Sequence, residues 1–195
     1  MLGALISNYF NSLIFRKNPF SNLDNIVNKI TLFPVAVIYV LHFLVSFLVY
    51  IFALVIMNYL SNHELIDRRN IGELTGEAMP VLFVFIQIVT AIFVIIQTAI
   101  TYLATKFILK INLDINRYII SLIYVSAVLI WLWVTFFFLN SILAPLLIMV
   151  IIFLCFIYRN YTSARVMLHV SKTFACSITT WPFIWWVYMF VMQLI

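Results

Sequence analysis

From Leu32 to Leu60 the chain runs twenty-nine residues without an Asp, Glu, Lys or Arg. Four further stretches, at 80–102, 118–139, 142–158 and 173–195, share that property. No soluble domain of 195 residues hides so much apolar surface, because about half of a globular surface has to carry polar groups to stay dissolved. Two-thirds of this chain is hydrophobic (66%) and only 9% is charged, so lipid must solvate the remainder. Each stretch is near the length of a helix that crosses a hydrocarbon core of roughly 30 Å. The first exceeds it at about 1.5 Å per residue, and must tilt or project. The expected fold is all-α: a polytopic membrane protein with five transmembrane helices.

The basic residues orient this pattern. Of eleven Lys and Arg, nine (Arg16, Lys17, Lys29, Lys106, Lys110, Arg117, Arg159, Arg165, Lys172) fall in every second segment between spans, and only Arg68 and Arg69 fall in the others. Short loops rich in Lys and Arg stay in the cytoplasm. The N-terminus is therefore expected inside and the C-terminus outside a cell (inner) membrane. A net charge of +5 spread singly over loop ends, with no basic run, fits anionic headgroups and excludes a nucleic-acid patch. No early basic cluster precedes an apolar core, so no cleaved signal is expected and the first span is retained. Cys155 and Cys176 lie inside predicted spans and read as small apolar packing residues.

Residues 1–30 are too polar to span, and 31–195 form the membrane domain. Leu2, Leu5, Ile6, Tyr9, Phe10 and Leu13 share one helical arc, opposite Ser7, Asn8, Asn11 and Ser12. Residues 21–30 repeat the pattern after a turn at Asn18-Pro19. Both read as amphipathic interfacial helices on the cytoplasmic side; the alternative is that they pack on the protein itself.

Span two carries a polar stripe of Gln87, Thr90, Gln97, Thr98, Thr101 and Thr105 within about a third of the helix circumference. Polar groups facing lipid are costly, so the stripe faces other helices or a solute path. His42 is the ionisable side chain near the middle of span one. No acid at membrane depth pairs with it, and no His or Cys at i+3 or i+4 makes a metal site, which favours a neutral imidazole bonded to a neighbouring span. Pro182 removes a backbone bond in span five and predicts a kink. The outer loop 61–79 holds the densest charge, and Glu64, Asp67, Arg68 and Arg69 form a solvated loop or a partner-docking site.

Catalytic signatures are absent: there is no Gly-rich phosphate loop, HExxH, G-x-S-x-G, C-x-x-C or paired carboxylate at membrane depth. No cofactor or metal is expected. The segment TYLATKFILKINLDINRYIISLIYVSAVLIW from Thr101 is similar to the helix, polar break and helix of the Yip1 family. FIYRNYTSARVMLHVSKTFACSITTW resembles that family's closing inner loop, entering the last span through Ser171-Lys172-Thr173-Phe174-Ala175. The resemblance implies five spans after a cytoplasmic start, and a bacterial-type member, since the Asp-Leu-Tyr-Gly-Pro and Gly-Tyr motifs of eukaryotic members are missing. It carries over no functional residue. The expected function is a non-enzymatic scaffold or accessory subunit, homo-oligomeric or attached to another membrane protein. The rival is a small-solute or ion transporter or channel built on the span-two stripe.

Overall fold

The structure, a computed structural model, describes residues 1–14, 19–26, 29–62, 79–138 and 143–180. Among them the chain is helical with no strand. Two short helices, α1 (Leu2–Leu13) and α2 (Pro19–Asp24), precede the long α3 (Leu32–Asn62). Next come α4 (Met79–Ala104), which continues as a π turn over Thr105–Leu109, and α5 (Ile115–Ser126), which continues as a 3-10 helix over Ala127–Phe138. The last are α6 (Leu143–Leu168) and a helical segment over residues 172–180.

Four helices are long and apolar enough to cross a membrane: Leu32–Tyr59, Phe83–Leu109, Ile115–Leu132 and Ala144–Leu168. They match the first four expected spans. The fourth runs ten residues past its expected end at 158, and Ser163, Ala164 and Leu168 of that extension are buried. Of the fifth, residues 173–180 are helical, and Pro182 lies outside the described residues. So does the charged loop of Glu64, Asp67, Arg68 and Arg69.

The helices alternate in direction. Tyr50 of α3 stacks on Phe83 of α4 with ring centroids 5.1 Å apart, and one turn earlier on α3, Ser46 meets Gln87 one turn later on α4. Thr101 of α4 meets Tyr118 of α5, and Ser121 of α5 meets Ser163 of α6. In consequence α4 and α6 run parallel. Lys106, Lys110, Arg117, Arg165 and Lys172 gather at the bundle end where α4 and α6 stop and α5 begins, called here the basic end.

The element at the centre is α5 with its 3-10 continuation. Its span window is 67% buried, against 22–28% for the other three. Residues 120–130 are buried without a break, so they show no lipid-facing stripe. Asp114 starts this element by accepting the Arg117 N–H at 3.2 Å, an N-cap. The switch to 3-10 lengthens it, since twelve residues rise about 24 Å as 3-10 but about 18 Å as α-helix.

Helices α4 and α6 end on left-handed residues, Lys110 (φ 54°) and His169 (φ 51°). At the first, the Ile111 N–H returns to the Thr105 carbonyl at 3.0 Å, which satisfies a carbonyl the helix end leaves open.

The N-terminal helices pack on the protein itself, the alternative to lying free along a lipid surface. The buried stripe of α1 is Leu5, Asn8, Tyr9 and Ser12, while Phe10 of the expected apolar arc is exposed. The stripe is rotated because hydrogen-bond partners on α2 and α5 draw in Asn8 and Ser12 of its polar side. The second helix is six residues at 19–24 and not ten at 21–30. Beyond Asp24 the backbone is held by side chains of α5: Arg117 donates to the Asp24 and Ile26 carbonyls at 3.4 and 2.6 Å, and Asn116 to the Ile30 carbonyl at 2.8 Å.

Candidate functional site

The span-two stripe is buried, apart from half-buried Thr98. Its members have different partners. Gln87, toward the end away from the basic loops, donates its Nε2 to Ser46 Oγ of α3 at 2.7 Å. Nearer the basic end, Gln97 Nε2 lies 3.5 Å from Thr101 Oγ1, 3.5 Å from Tyr118 Oη and 3.4 Å from the Ile178 carbonyl oxygen. Thr101 donates to Tyr118 Oη at 3.0 Å. Thr105 turns back on its own helix, to the Tyr102 carbonyl, and Thr90 is buried. Serine continues the polar layer across α5: Ser163 Oγ of α6 donates to Ser121 Oγ at 2.8 Å, and Ser121 Oγ donates to the Tyr118 carbonyl at 2.7 Å.

His42 is 2% exposed, and its partner is α1: Tyr9 Oη lies 3.2 Å from His42 Nδ1, with the rings edge-on at 6.0 Å. The expected neighbour was another span. His42 is ten residues into α3, about 15 Å from its start, so α1 reaches well into the span region. Desolvation pushes the Tyr9 phenol up from its ordinary range, because the charged form loses water on burial.

Four more bonds fix α1. Ser12 Oγ donates to the Tyr124 carbonyl at 2.6 Å, and Tyr124 Oη to the Leu5 carbonyl at 2.7 Å. Trp131 Nε1 donates to the Leu13 carbonyl at 2.9 Å, and Arg159 Nη1 to the Ser12 carbonyl at 2.6 Å. The last two lie at the C-terminal turn of α1, where helix carbonyls lack internal partners and the dipole favours a cation. Asn22 Nδ2 of α2 donates to Asn8 Oδ1 at 3.2 Å, tying the two short helices together.

Sequence reasoning placed the stripe and His42 but missed Tyr9, Tyr124, Trp131, Arg159 and Asn160. Arg159 and Asn160 offered a signal: they are the first polar pair after an apolar run, and the helix carries straight through them. The others have no distinguishing spacing. The thiols of Cys155 and Cys176 are free, half-buried and exposed respectively. No protein-family model matches the chain, and no curated protein or solved structure matches it either.

Proposed function

We propose that this chain is a non-enzymatic integral membrane scaffold or accessory subunit that associates with itself or with another membrane protein. One observation carries the reading: members of the span-two stripe bond across to neighbouring helices, Gln87 to Ser46 and Thr101 to Tyr118. Interhelical bonds of this kind hold a bundle together. Outward-facing α3 and α6 instead present large apolar side chains, among them Phe43, Leu48, Phe52, Leu147 and Leu154, suited to lipid or to a partner's spans.

The proposal includes five spans, a cytoplasmic N-terminus and an outer C-terminus in a cell membrane. Lys106, Lys110, Arg165 and Lys172 are exposed at one end, as the positive-inside rule asks of a cytoplasmic face. On that threading α2 ends near the cytoplasmic side, where Arg117 holds the Asp24 and Ile26 carbonyls, while α1 reaches as deep as Trp131. A Yip1-like identity belongs to the same proposal and is supported by the polar break at residues 110–114 between two spans. Native mass spectrometry of the full chain in mild detergent tests the reading. A homo-oligomer or a stable complex with a second membrane protein is expected; a clean monomer with nothing co-purifying would overturn it.

A further inference from the structure

A layer of uncharged polar side chains crosses the bundle near its basic end, and its hydrogen bonding is incomplete. Gln97 and Thr101 of α4, Tyr118 and Ser121 of α5, and Asn160 and Ser163 of α6 contribute to it. Asn160 is fully buried, and among the described residues neither its Oδ1 nor its Nδ2 has a partner. Gln97 is equally buried, and its Oε1 is also unpartnered. Gln97 is not in a greasy patch, since Thr101 Oγ1, Tyr118 Oη and the Ile178 carbonyl lie within 3.5 Å of its Nε2.

The two amides lie at one level of the bundle. Helices α4 and α6 are parallel, and the rings of Phe93 and Phe156 meet with centroids 4.8 Å apart. One turn further along each helix, in the same direction, come Gln97 and Asn160. A relay of contacts runs from Gln97 to the helix that carries Asn160: Gln97 to Tyr118 Oη, Ser121 Oγ to the Tyr118 carbonyl, and Ser163 Oγ to Ser121 Oγ. Ser163 is three residues from Asn160, on a neighbouring face of α6. The Ile178 carbonyl, 3.4 Å from Gln97 Nε2, closes a further side.

A buried amide without partners carries the full cost of lost hydration, and such groups in a native fold call for an explanation. The chemistry of the layer narrows what satisfies them. Gln97 Oε1 and Asn160 Oδ1 accept, and Asn160 Nδ2 donates. None of the six side chains is charged. The adjacent cation, Arg159, is turned to α1, where it holds the Ser12 carbonyl. An ion would arrive without a counter-charge.

We propose that Gln97 and Asn160 form a binding site for a small uncharged molecule that both donates and accepts hydrogen bonds: water itself, or a solute of the urea or short-polyol class. This goes beyond the scaffold reading and does not rest on it, because the oligomeric state can come out either way without touching the site.

The test is solution NMR on the full chain in mild detergent with 15N-labelled asparagine, the Asn160 side-chain amide being identified by its loss in Asn160→Leu. The site predicts either magnetisation transfer from water to that amide, identifying bound water, or a saturable shift of its resonance on titration with urea or glycerol. Either response should disappear in Gln97→Leu. An Asn160 amide that receives nothing from water and is unmoved by both probes would overturn the proposal. That outcome is read on the wild-type protein alone once the resonance is identified. A response that persists undiminished in a folded Gln97→Leu variant would overturn the assignment of Gln97 to the site.

Discussion

Arg159 reaches across 147 positions of sequence to donate its Nη1 to the carbonyl oxygen of Ser12 at 2.6 Å. Arg159, a residue 7% exposed, thus caps the first helix of the chain from the fourth span. The arrangement makes α1 a member of the bundle, because the cation sits where the open carbonyls and the helix dipole favour it.

Arg159→Leu should therefore destabilise the folded protein. Hydrogen bonds to charged groups contribute about 1.5–3 kcal/mol, and the substitution also uncovers the Ser12 carbonyl. Thermal or denaturant unfolding in detergent measures it. A variant as stable as wild type would show that the cap contributes nothing.

Removal of residues 1–14 strips partners from His42, Tyr124, Trp131 and Arg159 at once. The truncated chain is expected to insert into the membrane, since the apolar spans remain, and to melt at a lower temperature than the full chain. Alkaline extraction reads insertion and a thermal ramp reads stability. An unchanged melting point would place α1 outside the cooperative unit.

The contact between Gln87 and Ser46 can be isolated in a double-mutant cycle of Gln87→Leu and Ser46→Ala. Polar contacts between spans couple by about 0.6 kcal/mol, and rarely by more than about 1.7 kcal/mol. The expected coupling is positive and within that range. Strict additivity would mean that the two side chains do not interact in the folded protein.

Lys110 holds a left-handed conformation (φ 54°) that costs an L-residue about 1 kcal/mol and costs glycine almost nothing. Lys110→Gly is expected to raise stability by up to about 1 kcal/mol, and Lys110→Val to lower it. The two variants moving in the same direction would contradict the assigned backbone.

Orientation is open to labelling. With Cys155 and Cys176 replaced by alanine, single cysteines at Asn112 and Lys172 should react with an impermeant maleimide only from the cytoplasmic side of sealed vesicles. Reaction of the two sites from opposite sides would break the expected threading.

The sequence made some of these features legible and concealed others. The four apolar helices could be read directly, because burying that much hydrocarbon leaves a chain few options besides spanning lipid. The inward turn of the span-two stripe was legible for the same reason. The rotation of α1 was not: Asn8 and Ser12 look like a solvent face until Asn22 and the Tyr124 carbonyl are brought to them. Nor was the partner of His42, because nothing in the spacing of residues 9 and 42 marks a 3.2 Å contact.

Asn160 shows the division most clearly. In sequence it lies just past the expected end of span four at 158; in the fold it is fully buried one turn from an aromatic pair. Composition and hydropathy by themselves determined the solvent, the helical class and the directions in which the spans alternate, because those follow from the cost of placing charge and bare backbone in hydrocarbon. Tertiary structure alone decided which polar atoms meet and which are left open, because that depends on the rotation and register of packed helices, set jointly by every neighbour.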